Sequence, residues 1–227
     1  RGLMLVGEPG TAKSLLSELL ATAVCGDAGL TIQGGASITE DQIKYAWNYA
    51  LLINQGPSTQ ALVPAPLYQG MRDGKIVRFE EITRTPLEVQ DCLLGMLSDR
   101  VMAIPELSGE DSLLYARAGF NIIATANTRD RGVNEMSAAL KRRFDFETVF
   151  PIMDFQQELE LVANASARLL AHSGIPHKVP DAVLELLVQT FRDLRAEGGK
   201  KTSMDTLNAI MSTAEAVNVA HAVGVRA

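Results

Sequence analysis

Residues 7–14 read Gly-Glu-Pro-Gly-Thr-Ala-Lys-Ser, between the apolar run Leu3-Met4-Leu5-Val6 and the pattern Leu15-Leu16-x-x-Leu19-Leu20. A short buried strand, a Gly/Pro turn and a helix opening on Lys-Ser leave few folds open. This is the layout of a phosphate-binding loop in an α/β sheet. Gly7, Glu8, Pro9, Gly10, Thr11 and Ala12 make the turn, and consecutive backbone N–H groups at the helix start form a concave anion site. Lys13 adds a full positive charge, and the Ser14 hydroxyl can hold Mg²⁺. The strict pattern asks for Gly where this chain has Ala12. Alanine fits there if its φ is negative; at positive φ its methyl crowds the phosphates. The competing explanation is a loop that only caps a helix.

Three further segments bear on that choice. Gly74-Lys-Ile-Val-Arg-Phe-Glu-Glu-Ile82 is a mostly apolar strand ending in two carboxylates. In nucleotide hydrolases of this layout the first acid serves Mg²⁺ and the second orients the attacking water, which gives Glu80 the metal role and Glu81 the general-base role. Two solvated surface acids are the plain alternative. Arg78 interrupts a strand expected to be buried on both faces. Phe120-Asn-Ile-Ile-Ala-Thr-Ala-Asn127 is a run of β-formers that delivers Asn127 to a carboxyl end, where ligands sit in open α/β sheets. Ser137-Ala-Ala-Leu-Lys-Arg-Arg-Phe-Asp145 is a short helix ending in three cations. These either complement the helix C-terminus or supply an arginine finger.

In this order the motifs resemble the AAA+ ATPases, and within them the MoxR-like branch, related to the dynein-related and nitric-oxide-reductase-activating ATPases. Gly7 to Ser14 is similar to that branch's Walker A, which often carries Ala before the Lys. Phe79 to Gln90 is similar to its Walker B and following helix, with Glu80 where the family usually has Asp. Ala124-Thr125-Ala126-Asn127 looks like sensor 1. Ala139 to Asp145 resembles the finger segment, with Arg143 the first candidate and Arg142 the next. For the sensor 2 arginine, Lys200, Lys201 and Arg192 are open candidates. The resemblance implies an ATP- and Mg²⁺-dependent ATPase that self-associates into a ring, a hexamer in the family. It further implies chaperone-like remodelling of a protein client, with a von Willebrand factor A domain protein as partner. A nucleotide-dependent switch that scarcely hydrolyses is the alternative.

Composition agrees with a cytoplasmic enzyme. At 227 residues, 47% hydrophobic and 21% charged, the chain can build a substantial core. No apolar run approaches the roughly 20 residues that span a bilayer. The net charge of −6 argues against general nucleic-acid binding. Cys25 and Cys92 have no motif partner and read as reduced structural thiols. His172, His177 and His221 lack metal-site spacing. The nucleotide strand begins by residue 3 with no methionine before it, so the chain reads as a fragment lacking an N-terminal segment.

The expected fold is α/β: a P-loop parallel sheet flanked by helices over 1–150, then a small α-helical lid over 151–227, hinged near Pro151. Leu30 to Gln33 predicts a second strand. Asp41 to Leu52 predicts a helix with Ile43, Trp47, Ala50 and Leu51 at helical spacing, where Trp47 packs in the core or an interface rather than stacking on a base. Asn54 to Pro66 predicts a long loop, either a substrate or partner loop or a passive insertion. Thr85-Pro86-Leu87-Glu88 predicts a capping box, followed by the buried stripe Val89, Leu93, Met96 and Leu97. Val101 to Pro105 and Leu113 to Tyr115 can pair as a hairpin. Phe144 to Phe150 closes the sheet. Three amphipathic helices follow, over Gln156 to His172, from Asp181 to Gly198, and from Ser203 onward through Leu207, Ile210, Met211, Ala214 and Val217.

Overall fold

The computed structural model describes residues 1–127, 135–175, 178–197 and 212–226. The strands run in chain order as β1 (Gly2–Gly7), β2 (Thr31–Gln33), β3 (Tyr45–Trp47), β4 (Leu62–Pro64), β5 (Ile76–Glu80), β6 (Val101–Ala103), β7 (Leu113–Tyr115), β8 (Asn121–Asn127) and β9 (Phe144–Val149). The helices among the described residues are α1 (Lys13–Cys25), α2 (Glu40–Ile43), α3 (Tyr49–Gln55), α4 (Pro66–Asp73), α5 (Leu87–Asp91) and α6 (Leu93–Ser98). They continue with α7 (Ala138–Lys141), α8 (Phe155–His172), α9 (Asp181–Glu197) and α10 (Thr213–Arg226). No helix among the described residues is long and apolar enough to cross a membrane.

Five strands form one parallel sheet in the order β2-β5-β8-β1-β9. Its registers pair Gln33 with Glu80 and Phe79 with Ala124. Such a sheet is covered on both faces, which explains why all five residues of β5 and the five central residues of β8 are buried. β1 has a neighbour on each side, so the turn leaving its carboxyl end lies at the edge where open α/β sheets bind ligands. The core under the sheet is built from Met4, Val77, Phe79, Ile122, Leu140 and Phe144, among others. β3 with β4, and β6 with β7, make two small antiparallel hairpins.

The chain divides into two compact units: Arg1–Val6 with Lys13–Thr148, and Gly7–Ala12 with Val149–Ala227. The second has its own apolar cluster, including Val162, Leu170, Leu184, Val188, Phe191 and Ala220. Beside it, the buried Glu158 carboxylate of α8 accepts from Arg195 of α9 at 2.6 Å, Arg192 at 3.1 Å and the Thr213 hydroxyl of α10 at 2.7 Å. One carboxylate thus joins three helices. Asp154 caps α8 by accepting from the Gln157 N–H at 2.8 Å.

Four local expectations need correction. The single helix expected over Asp41 to Leu52 is instead α2, β3 and the start of α3. Tyr45 and Trp47 are good β-formers, and their rings meet edge to face with centroids 6.0 Å apart. Both also donate to Glu106, at 2.9 and 3.4 Å. These non-local partners outweigh the helical spacing, and Asn48 restarts the helix by accepting from the Leu51 N–H. The stretch 54–66 is correspondingly not one open loop, since it contains β4 and leads into α4. The capping box at Thr85 does not form. Its N–H closes the preceding 3₁₀ turn onto the Ile82 carbonyl at 3.0 Å, and the helix starts at Leu87 without a side-chain cap. The helix ahead of the C-terminus begins at Thr213, where Ser212 and Glu215 make a reciprocal capping box. Ser203, Leu207, Ile210 and Met211 lie outside the described residues.

Candidate active site

α1 presents an unexpected face to the sheet. The residues it buries are Lys13, Ser17 and Ala21, one turn apart, while Leu15 and Leu19 are 54% and 58% exposed. The leucines signalled the helix but not its inner side. The inner side is small and polar because a buried carboxylate waits there. Glu80, at the end of β5, accepts from Ser14 Oγ at 2.7 Å and Thr125 Oγ1 at 2.8 Å through Oε2. Through Oε1 it accepts from Ser17 Oγ at 2.7 Å and an Arg78 Nη at 3.0 Å. Burial alone would push this carboxyl up, but the hydrogen bonds from Ser17, Ser14, Thr125 and Arg78 together hold it below the ordinary carboxylate range. Glu80 is therefore a fixed anion beside the serine that opens the helix.

Arg78 explains itself in the same cluster. Two residues apart on a strand, Arg78 and Glu80 share a face. The guanidinium also donates to Ser17 Oγ at 3.0 Å, the Ser14 carbonyl at 3.3 Å and Thr31 Oγ1 at 3.3 Å. An arginine in a doubly covered strand is tolerable because its charge is paired and its donors are used.

Glu81 adopts the left-handed region, φ 52° and ψ 44°. Such conformations in non-glycine residues cluster at functional sites. Its N–H donates to Thr125 Oγ1 at 2.9 Å, and its carboxylate pairs with Arg84 at 3.0 Å. Gly34 makes this corner possible. A Cβ there would lie 2.3 Å from the Glu81 carbonyl oxygen and 2.8 Å from that of Glu80. Asn127 ends β8 two residues beyond Thr125, on the same face by strand alternation.

The loop itself answers the question posed by Ala12. Gly10 and Ala12 both take positive φ, 78° and 61°, so the alanine occupies the conformation that favours glycine. The strain of a left-handed alanine is about 1 kcal/mol. Ala12→Gly is expected to raise unfolding stability by up to about 1 kcal/mol, which denaturant unfolding would measure.

The finger candidates diverge. The Arg143 guanidinium donates to Ser98 Oγ at 2.7 Å and to the Ala139 carbonyl at 3.2 Å. Arg142 is exposed and makes no side-chain hydrogen bond or ion pair that the described residues record. Of the sensor 2 candidates, Arg192 is engaged by Glu158 and by the Met153 carbonyl at 2.8 Å, and Lys200 and Lys201 lie outside the described residues. Cys25 and Cys92 are free thiols, and burial pushes the Cys92 thiol up to about 12.

Ser17, Arg78 and Thr125 are the site residues that motif spacing passes over. Arg78 and Thr125 do carry a signal, a polar side chain within a run that a doubly covered strand buries, whereas Ser17 carries none, because the leucines of α1 mark the other face.

Residues 2–144 match the family of AAA domains described as the dynein-related subfamily. The chain belongs to this AAA family. Residues 156–227 match the YehL-like AAA+ ATPase C-terminal domain. The uncharacterised protein YehL of Escherichia coli (strain K12) is 92% identical over the whole chain, which covers 63% of that protein. An uncharacterised Staphylococcus haemolyticus protein is 30% identical over 63% of this chain and 53% of its own length. The chain thus spans less than two thirds of the curated relatives it matches. Among solved structures, NtrX of Brucella abortus in complex with ATP superposes with a TM-score of 0.65 at 15% identity, over 99% of this chain and 47% of NtrX. The NtrX complex with ADP gives 0.62. These two likenesses establish the AAA+ fold.

Proposed function

We propose that this AAA chain binds ATP with Mg²⁺ and hydrolyses it as a member of a ring. The observation that carries the proposal is the Ser14–Glu80–Thr125 hydrogen-bonded set, which ties the start of the phosphate-loop helix to the carboxyl ends of β5 and β8. The same sheet edge carries Glu81 to orient water and Asn127 to bond a phosphate oxygen or that water, while Lys13 supplies charge from the first turn of α1. The turn from Gly7 to Ala12, Pro9 excepted, would supply backbone N–H groups to the phosphates, with the Ala12 methyl crowding them at its positive φ. The match to the dynein-related AAA domains and the ATP complex of NtrX support ATP as the nucleotide.

The donor set fits Mg²⁺. A hydroxyl and a carboxylate are hard oxygen ligands, and Mg²⁺ characteristically takes one or two protein oxygens together with substrate phosphates and water. Among the described residues no group of three or more His, Cys, Asp or Glu forms a separate metal cage. When bound, the ion would neutralise phosphate charge; Ser14 would hold it and Glu80 would hold Ser14.

Lys13→Ala is expected to abolish binding of a fluorescent ATP analogue, because the variant removes the one full positive charge in the loop. Unchanged affinity would remove the basis of the nucleotide assignment.

The wider role follows the family resemblance. Residues 1–150 would be the nucleotide-binding domain and 151–227 the lid, in a cytoplasmic MoxR-type remodeller acting on a protein client beside a von Willebrand factor A domain partner. A second reading, a nucleotide-dependent switch with little hydrolysis, draws on the saturation of Glu80 by Arg78 and three hydroxyls and on the engagement of Arg192 by Glu158. Steady-state phosphate release by the assembled full-length protein separates them: release above the Lys13→Ala control supports the ATPase, and none supports the switch.

A further inference from the structure

The Glu80 carboxylate offers about four lone-pair sites in its plane, and it receives four donors: two hydroxyls on Oε2, one hydroxyl and one guanidinium N–H on Oε1. Arg78 lies 3.0 Å from it, and the two side chains are only 10% and 5% exposed. Solvent therefore does little to screen the pair. The net charge presented by this pair to a cation arriving near Ser14 is close to zero. A metal-bound water could reach Glu80 only by displacing a hydroxyl that already donates to it.

From this we infer that Arg78 is a built-in counter-cation of the metal-site carboxylate, and that it sets how strongly nucleotide binding depends on Mg²⁺. The idea rests on the nucleotide-binding proposal above and adds a property to it. With Arg78 in place, Glu80 acts on the ion through Ser14, and the ion is held chiefly by the Ser14 hydroxyl and the nucleotide's own phosphates. Removal of Mg²⁺ then costs the wild-type protein little affinity. Removal of Arg78 leaves a buried carboxylate with an unbalanced charge and an open acceptor site. Such a group recruits a divalent cation, with or without nucleotide. The pairing also accounts for glutamate in place of aspartate: the extra methylene lets one carboxylate span from Ser14 and Thr125 across to the guanidinium.

The test uses the full-length protein and a fluorescent ATP analogue, titrated at free Mg²⁺ levels set with EDTA. Melting temperature is followed in parallel with Mg²⁺ alone. Wild type is expected to lose less than about tenfold in affinity when Mg²⁺ is removed, and its melting temperature is expected to ignore Mg²⁺. Arg78→Gln is expected to lower the half-saturating Mg²⁺ by about tenfold or more and to melt higher when Mg²⁺ alone is added. Arg78→Lys keeps the charge and should resemble wild type. An Arg78→Gln protein that needs as much Mg²⁺ as wild type overturns the inference, as does a wild type whose binding collapses in EDTA. If Arg78→Gln does not fold, the double variant Arg78→Val with Glu80→Asp removes the pair with a shorter acid, and the wild-type arm decides on its own. Failure of the nucleotide proposal looks different. No protein would bind the analogue, yet Mg²⁺ alone would still discriminate Arg78→Gln from wild type.

Discussion

Glu81→Gln protein is expected to keep its nucleotide and lose turnover by about 10²–10⁴-fold, the usual worth of a positioned general base. Glutamine has the same length and accepts hydrogen bonds, so the corner at Glu81 and its N–H bond to Thr125 should survive the change. What is lost is the carboxylate, and with it the ion pair to Arg84. Paired measurements decide the matter: analogue affinity by fluorescence and phosphate release at saturation. Affinity within about threefold of wild type with release at the Lys13→Ala background is the expected pattern, since a base acts on the reaction and not on ground-state binding. A Glu81→Gln protein that releases phosphate at the parental rate would leave Glu81 as a strand-end acid paired with Arg84 and remove it from the base role.

Larger still is the effect expected at the finger. Arginine supplied in trans is worth about 10³–10⁵ in rate, so an isolated subunit with an intact pocket should be nearly inactive. Lys13→Ala subunits retain the arginines and lose the nucleotide; Arg143→Ala subunits do the reverse. Each alone is expected to be inactive, and a mixture is expected to recover hydrolysis. The bonds of Arg143 to Ser98 and Ala139 mean that it would have to leave a docked position to reach a neighbour, whereas Arg142 is already exposed. The same mixing with Arg142→Ala subunits therefore belongs in the experiment. If Arg143→Ala protein hydrolyses at the parental rate and Arg142→Ala complements Lys13→Ala, the role passes to Arg142. If neither variant is impaired, both cations merely complement the C-terminus of α7, a contribution under about 1 kcal/mol to stability.

The three inner strands were legible because buried parallel strands are written in mostly apolar residues. Met4-Leu5, Ile76-Val77 and Ile122 to Ala124 could hardly lie elsewhere, and the strands that hold them lead to the glycine turn, to Glu80 and to Asn127. The β6–β7 hairpin, with Val101 opposite Tyr115, was readable for a different reason, two short runs of β-formers either side of a polar turn. Partners distant in sequence were not. Tyr45 and Trp47 sit at helical spacing with Ile43 and Leu51, and only the arrival of Glu106 and of β4 turns them into a strand. Arg78 looked like an error in a buried strand because three of its partners, Ser14, Ser17 and Thr31, come from other elements. The inner face of α1 misled in the opposite direction, since hydrophobic periodicity weighs Leu15 and Leu19 above Ser17. Burial of a serine makes sense only once the carboxylate it serves is known.

Gly34 gives the Glu80–Glu81 corner an address that no motif includes. It carries no side chain, yet the volume that a methyl group would fill there is taken by the carbonyls of Glu80 and Glu81. The peptide that sets the direction of both acids is thus shaped from the end of the neighbouring strand, where the Gly34 N–H holds the Glu80 carbonyl at 2.7 Å. A single methyl added at Gly34 would force the Glu80 and Glu81 carbonyls to shift while leaving every named motif intact. Inactivity in a relative with perfect Walker sequences could originate at this position, and an engineer seeking to tune turnover without touching a catalytic side chain would begin here.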